Sequence, residues 1–191
     1  VVDDVIASAF NSAGQRCSAL RVLYVQHEIA ERLIHMLAGA MSELRVGDPA
    51  HLGTDIGPII DREARARLQA HVERLAGRAR VLHACKLSAE CDEGSFFAPH
   101  LFEIDAIEQL PREVFGPVLH LVRYRAADLE QLPRRINAAG YGLTFGVHSR
   151  VQSSIDLLAR EVDAGNVYVN RNIIGAVVGV QPFGGVRLSG T

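Results

Sequence analysis

The stretch LRVLYVQHEIAERLIHMLAGAMSEL, residues 20 to 44, joins a strand signal directly to a helix signal. Its first part, Leu20 to Val25, is a short run of branched and aromatic residues that is typical of a buried strand. In its second part apolar residues recur every three or four positions, which predicts a helix with one apolar face: Ile29, Ala30, Leu33, Ile34, Leu37, Met41 and Leu44. A strand followed by a helix is the repeating unit of sheets that helices cover.

The same alternation continues along the chain. Three further runs have the composition of buried strands: Val118 to Tyr124, Leu143 to His148 and Asn166 to Asn170. Three further segments predict helices: one that Asp61 caps and that ends near Leu75 before Gly77, one around Ile155 to Val162 closed by Gly165, and one from Asp128 to Ala139 that Pro133 must start or kink. We therefore expect an α/β fold with a mostly parallel open sheet and helices on both faces.

Composition excludes several classes of function. The chain has 191 residues, 48% of them hydrophobic and 22% charged, which suits one well-buried domain. A net charge of −2 does not favour nucleic acid or an acidic membrane surface, and we find no signal peptide and no apolar run long enough for a bilayer. Three irregularly spaced cysteines favour a reducing compartment, and hence the cytoplasm. Because both ends interrupt a structural pattern, we expect residues 1 to 191 to be a piece of a longer polypeptide.

A glycine-rich segment closes the sequence. Residues 175 to 190 contain five glycines and Pro182, which predicts a long loop whose backbone must approach another group closely. No Gly-Lys-Ser/Thr sequence follows it, and GxGxxG occurs nowhere in the chain. A dinucleotide site would therefore need sequence from outside these residues.

The three cysteines differ in their surroundings. Cys17 lies at a polar junction between helix and strand, where backbone N–H groups can bind an oxyanion and Arg16 adds a positive charge. Cys85 lies in or beside a predicted strand and suits a small buried hydrophobe, whereas the acidic neighbours of Cys91 disfavour its thiolate. The spacing of His83, Cys85 and Cys91 matches no usual zinc pattern, so we expect no metal site. From the residues alone, both a functional and a structural Cys17 remain open.

Three motifs in order resemble the aldehyde dehydrogenase superfamily: FNSAGQRCSA at 10–19, EVFGPV at 113–118 and PFGGVRLSG at 182–190. The resemblance implies that Cys17 adds to an aldehyde, that hydride passes to a nicotinamide and that water cleaves the resulting thioester. It also implies that the Cys17 N–H forms half of the oxyanion hole, that Glu113 accepts hydrogen bonds from ribose hydroxyls, and that Phe115 packs beside the nicotinamide. Outside the motif, a solvated carboxylate and a core aromatic would be the simpler interpretations.

A second resemblance concerns the substrate. The run NRNIIGAVVGVQPFGG, residues 170 to 185, and Ser18 are similar to L-glutamate-γ-semialdehyde (1-pyrroline-5-carboxylate) dehydrogenases, above all to those in bifunctional bacterial proline utilization A proteins, which catalyse the second step of proline catabolism. Gly175 and Ala176 could present consecutive N–H groups to the substrate α-carboxylate, Ser18 a hydroxyl, and Phe183 an apolar surface. A flexible hinge is the alternative for Gly175-Ala176. Arg187 departs from the pattern, which more often has a small or acidic residue there.

The resemblance also sets expectations for cofactors and partners. We expect NAD⁺, with NADP⁺ not excluded, and FAD only if a proline dehydrogenase domain belongs to the same protein. The Rossmann domain, the general-base glutamate, the oxyanion-hole asparagine and the flap of a homodimer are all expected outside residues 1 to 191, so the fragment alone should be inactive. Two alternatives stay open: an aldehyde dehydrogenase for another semialdehyde, and an isolated inactive domain that serves as a folding unit or an interaction surface.

Overall fold

The central sheet of the computed structural model, which describes residues 1 to 190, contains four strands: β1 (Val22–Gln26), β2 (Arg80–Ala84), β3 (His100–Glu103) and β4 (Val118–Tyr124). Their order across the sheet is β1-β4-β3-β2. Strand β4 pairs in parallel with both β1 and β3, while β2 pairs antiparallel with β3 at the edge. The predicted mostly parallel sheet is confirmed, although the sequence did not identify β3.

Four short strands form two further pairs: β5 (Tyr141–Gly142), β6 (Thr144–Val147), β7 (Asn166–Val169) and β8 (Val186–Arg187). The β6 and β7 strands run in parallel and match the predicted strands at 143–148 and 166–170. Antiparallel pairing of β5 with β8 brings the end of the glycine-rich segment back to Tyr141. This pairing connects two of the three sequence motifs, because Tyr141 also contacts Glu113.

Five α-helices pack around these sheets: α1 (Val2–Phe10), α2 (His27–Ser42), α3 (Arg62–Leu75), α4 (Leu132–Ala138) and α5 (Gln152–Glu161). The predicted cap of α3 is confirmed, since the Ala64 N–H donates to Asp61 Oδ1 at 2.6 Å. The segment predicted from Asp128 to Ala139 is divided. A 3₁₀ helix at Ala126–Gln131 precedes α4, which begins where Pro133 fits the first turn.

The core lies on both faces of β4. Val118, Leu119, His120 and Leu121 are each at most 1% exposed, and neighbouring residues of a strand point to opposite faces. Burial of each such apolar side chain contributes about 1.5–3 kcal/mol to folding. A second, smaller cluster forms between α4, β6 and α5 from Leu132, Val147, Ile155 and Leu158. Within residues 1 to 190, no helix is both long enough and apolar enough to cross a membrane.

Candidate active site

A left-handed turn leads from α1 to Cys17. Ser12, Ala13 and Gly14 have φ values of 55°, 54° and 63°. The left-handed region costs a residue with a side chain roughly 1–2 kcal/mol, so other contacts must hold this turn. A Cβ on Gly14 would lie 2.3 Å from the carbonyl oxygen of Gly116. The nucleophile motif and the EVFGPV motif therefore touch backbone to backbone.

Cys17 lies at the tip of the next turn. The Ala19 N–H donates to the Arg16 carbonyl at 3.1 Å, which places Cys17 and Ser18 at its two central positions. The Cys17 side chain is exposed, whereas Ser18 is buried. Gln15 fixes this segment against the loop before α3, since its Oε1 accepts from the Ile60 N–H at 2.9 Å. The site predicted for the nucleophile is thus a constrained turn that presents its thiol outward.

Arg21 binds the backbone around Cys17. One terminal nitrogen donates to the Arg16 carbonyl at 2.9 Å, and the other donates to the carbonyls of Gly14 and, at 3.4 Å, Gly116. Burial lowers the pKa of Arg21, while the nearby charges of Glu113 and Cys17 act to raise it. Arg16, the positive charge predicted beside the thiol, instead donates to the Ser12 hydroxyl at 2.9 Å.

The same guanidinium reaches both predicted cofactor residues. Arg21 Nε donates to Glu113 Oε1 at 3.0 Å, and the guanidinium carbon lies 4.6 Å from the centre of the Phe115 ring. The Glu113 N–H donates to the Tyr141 hydroxyl at 3.2 Å. Among residues 1 to 190, no group donates to Glu113 Oε2, and the side chain is 33% exposed. One carboxylate oxygen is therefore held and the other is available to a ligand.

Cys17 and Glu113 line one cleft of about 550 Å³. Arg21 and Thr144 also line it, and the Thr144 hydroxyl donates to the Ser18 carbonyl at 3.3 Å. A cleft of this size is within the range of small-molecule sites. The Cys17 thiol and the Arg21 guanidinium come from one segment, and the Glu113 carboxylate joins them from a distant one.

A buried histidine pair supports the backbone of Arg21. His71 Nε2 and His120 Nε2 are 2.8 Å apart, Arg74 donates to His71 Nδ1 at 2.7 Å, and His120 Nδ1 lies 3.0 Å from the Arg21 carbonyl. Arginine can only donate, so His71 Nδ1 must accept, His71 Nε2–H donates to His120, and His120 Nδ1–H donates to Arg21. Burial lowers the pKa of both imidazoles, to about 4. Both rings are therefore neutral at pH 7.

The chain matches the sequence profile of the aldehyde dehydrogenase family over residues 1–191. It belongs to the aldehyde dehydrogenase family. The chain is 54% identical over 196 residues to the bifunctional protein PutA of Escherichia coli (strain K12), covering 100% of the chain and 15% of that protein. It is 32% identical over 189 residues to the 1-pyrroline-5-carboxylate dehydrogenase of Geobacillus sp. (strain WCH70), covering 98% of the chain and 36% of that protein.

Solved structures show the same relationship. The crystal structure of Bradyrhizobium japonicum proline utilization A superposes with a TM-score of 0.95 at 56% identity, covering 100% of the chain and 19% of that protein. The 1-pyrroline-5-carboxylate dehydrogenase from Thermus with bound NAD superposes at 0.90 with 34% identity, covering 100% of the chain and 36% of that protein. The predicted family and the predicted α/β fold are confirmed. The chain spans a minor part of each of these relatives.

In this aldehyde dehydrogenase domain, the other predicted site residues lie on the glycine-rich loop. Gly175 and Ala176 are half-buried and Phe183 is exposed. The described residues that line the cleft include none of these three. The loop is fastened to β7, because the Asn166 side chain donates to the Gly184 carbonyl at 2.8 Å. Cys17 and Glu113 thus share one cleft, which Gly175, Ala176 and Phe183 do not line.

The remaining cysteines are held by the core. The Cys85 thiol donates to the Met41 carbonyl at 3.2 Å, and burial raises its pKa to about 11. Cys91 is 3% exposed and its thiol donates to the Val46 carbonyl at 3.4 Å. The sequence interpretation of Cys91 rested on its acidic neighbours, but its burial is the larger obstacle to a reagent. Among residues 1 to 190, no three His, Cys, Asp or Glu side chains are arranged for a metal ion.

The structure shows the contacts of two arginines for which the sequence predicted no role, Arg21 and Arg187. Arg21 was included in the strand signal at 20–25, and its interruption of an apolar run is the sequence feature that could have indicated it. Arg187, the departure from the family pattern, has φ of 56°, donates to the Asn137 carbonyl and pairs with Asp163. Arg187 therefore fastens β8 to the end of α4, which is a structural role.

Proposed function

We propose that this chain is the nucleophile-bearing part of an NAD⁺-dependent dehydrogenase that oxidises L-glutamate γ-semialdehyde, formed from 1-pyrroline-5-carboxylate, to L-glutamate. The observation that carries the proposal is the exposed Cys17 thiol at the tip of a turn, on the same cleft as Glu113. The names of its relatives, PutA and 1-pyrroline-5-carboxylate dehydrogenase, support proline catabolism as the context.

Cys17 would supply the covalent step. Its thiolate adds to the aldehyde carbon and forms a C–S bond, and the carbonyl oxygen takes the negative charge as the thiohemiacetal anion. The Cys17 N–H at the tip of the turn would donate to that oxygen. Loss of hydride from the same carbon gives a thioester, and water cleaves the C–S bond to release the carboxylic acid and restore the thiol. Bound NAD⁺ would supply the hydride acceptor.

Glu113 and Phe115 fit such a cofactor. The unpaired Oε2 of Glu113 can accept hydrogen bonds from a ribose diol, and a charged acceptor strengthens each of them. Phe115 is 46% exposed, so its ring presents apolar surface that a nicotinamide could cover. The relative from Thermus that was solved with NAD supports NAD⁺ over other cofactors.

The glycine-rich loop would recognise the amino-acid end of the substrate. Among residues 1 to 190, no group accepts from the N–H of Gly175 or of Ala176, and none bonds to the Ser18 hydroxyl. Three unpaired donors near an anionic substrate would hold its α-carboxylate.

The proposal extends to the rest of the protein. A Rossmann domain, a homodimer flap, the general base and the second oxyanion donor would come from outside residues 1 to 191, which form the catalytic domain. FAD would bind only if a proline dehydrogenase domain is joined to it. The three free thiols suit a reducing compartment, and we place the protein in the cytoplasm on that ground.

The test compares glutamate γ-semialdehyde with propanal, which has no carboxylate, as substrates of the full-length protein. Ala176→Pro removes one backbone donor and Ser18→Ala removes a hydroxyl with less disturbance of the loop. Each change should lower kcat/KM for glutamate γ-semialdehyde by about ten- to two-hundred-fold, the worth of a hydrogen bond to a charged group, and change propanal oxidation much less. Equal losses on both aldehydes, or a wild-type preference for aldehydes without the amino-carboxylate end, would favour an aldehyde dehydrogenase for another substrate.

A further inference from the structure

Arg21 joins two segments of the site, the Cys17 turn that precedes it and the distant segment at residues 113–115. Its guanidinium binds the Gly14 and Arg16 carbonyls of the thiol-bearing turn and the Glu113 carboxylate, which is 92 residues away. It also covers one face of the Phe115 ring. The Arg21 side chain is only 15% exposed, so these contacts are shielded from solvent.

Arg21 binds only one of the two carboxylate oxygens of Glu113. Arg21 Nε reaches Oε1 only, and its two terminal nitrogens are committed to backbone carbonyls. A guanidinium is planar and fixed in shape, so one that is held on carbonyls cannot turn to follow the carboxylate. The carboxylate must instead take the orientation that the guanidinium sets, with Oε2 directed away from it.

The backbone of Arg21 is held as firmly as its side chain. Its carbonyl accepts from the His120 N–H at 3.1 Å and from His120 Nδ1 at 3.0 Å. Since His71 and Arg74 fix the tautomer of His120, this second bond persists while the imidazoles stay neutral. Arg21 is therefore held in place at both ends, by the buried His120 at its carbonyl and by its guanidinium contacts at the cleft.

We propose that Arg21 is a positioning residue for the cofactor: it orients Glu113 toward the ribose and holds the Cys17 turn in a fixed relation to that carboxylate. The inference rests on the proposed function, because it assumes that Glu113 binds NAD⁺. Lysine would keep the charge at this position but not the planar, forked set of donors, since an ammonium cannot bind the carbonyls and the carboxylate with the same geometry.

The chain offers a matched control in Arg123. Its side chain is also 15% exposed and also pairs with carboxylates, those of Glu103 and Glu31, but it does not line the cleft. Arg21→Ala would leave several acceptors unpaired at once, so Arg21→Lys and Arg123→Lys in the full-length protein are the informative pair. The measurements are the NAD⁺ dissociation constant, kcat and KM, and the melting temperature.

Arg21→Lys should raise the NAD⁺ dissociation constant about tenfold or more, the worth of a hydrogen bond to a charged group, while Arg123→Lys leaves it within about twofold. Both variants should lose melting temperature to a similar extent. In a Glu113→Gln background, Arg21→Lys should add little further loss of NAD⁺ affinity, because its effect passes through that carboxylate.

A fall in melting temperature with unchanged NAD⁺ affinity and KM would overturn the inference and leave Arg21 a structural residue. Additive losses in the double variant would overturn it as well, since they would separate Arg21 from Glu113. A wild-type protein that binds no NAD⁺ would overturn the proposed function together with this inference, so the two failures are distinguishable.

Discussion

Replacing Gly14 with alanine should separate the Cys17 turn from the Glu113 segment. The added Cβ would lie 2.3 Å from the Gly116 carbonyl oxygen, 2.6 Å from its carbon and 2.9 Å from the Ala9 carbonyl oxygen. All three are backbone atoms, so no side chain can rotate out of the way. Ordinary van der Waals contact begins at 3.4 Å, so one of the two segments must move by more than an ångström.

Two effects add in this variant. Alanine at φ of 63° costs roughly 1–2 kcal/mol, whatever the space around it. The displacement of the segment is the second effect, since a misplacement of about 1 Å in a catalytic site can lower the rate about a hundredfold. We therefore expect kcat/KM of the full-length protein to fall about a hundredfold, and its stability to fall by more than the backbone term alone.

Gly77→Ala is the matched control. Gly77 has φ of 75°, follows the end of α3 and has no heavy atom within 4 Å of the ideal Cβ position. The Gly77→Ala variant should lose only roughly 1–2 kcal/mol of stability, the cost of a side chain in the left-handed region, and should keep its kcat/KM. Urea unfolding, steady-state kinetics and the alkylation rate of Cys17 measure the two variants side by side.

The reasoning is refuted if the two variants lose the same stability and both keep full kcat/KM. That result would mean that the contact with Gly116 relaxes without moving the thiol. Loss of stability in Gly14→Ala with an unchanged alkylation rate would show that the turn supports the fold but does not position Cys17.

Three other predictions follow from the site. Brief substoichiometric alkylation should label Cys17 before Cys85 or Cys91, and Cys17→Ala should abolish aldehyde oxidation while NAD⁺ binding stays measurable. First labelling of Cys85 or Cys91 would contradict the assignment. Glu113→Gln should raise the KM for NAD⁺ with little change in melting temperature, because hydrogen bonds to a charged acceptor worth roughly 1–3 kcal/mol are weakened. A loss of stability with normal kinetics would instead make Glu113 a structural residue. Burial lowers the pKa of His120 to about 4. As the pH falls, His120 is therefore protonated at a lower pH in the native state than in the unfolded chain. Stability from this histidine is therefore complete above pH of about 6.5 and falls by up to about 3 kcal/mol as the pH drops to about 4. Histidine hydrogen–deuterium exchange should report a pKa below about 5, and a value near 6.5 would contradict the buried network.

The sequence predicted those elements whose own residues determine them. Strand β4 was predicted with its observed bounds, because a run rich in Val and Leu is typical of a strand that is buried on both faces of a sheet. The cap at Asp61 was predicted because a capping side chain acts only three residues ahead. Both signals are local.

Elements that depend on distant partners were missed. Strand β3 has four residues and directly follows Pro99, so no periodicity could develop. Strands β5 and β8 have two residues each and exist because they pair across the chain. Arg21 was missed for the same reason: nothing near it in sequence reveals that Glu113 lies within hydrogen-bond distance.

The proposed nucleophile, Cys17, depends on contacts that its own motif cannot supply. Ser12 and Ala13 both occupy the left-handed region, at roughly 1–2 kcal/mol each, so a free peptide of this sequence would not keep the turn. Contacts from outside the motif offset that strain. Arg21 donates to the carbonyls of Gly14 and Arg16, and the loop before α3 donates to Gln15. Since Arg21 also binds Glu113, the thiol reaches its final position only in a fold that has placed the carboxylate. The thiol and the carboxylate are therefore assembled together, and a change that displaces one should displace the other.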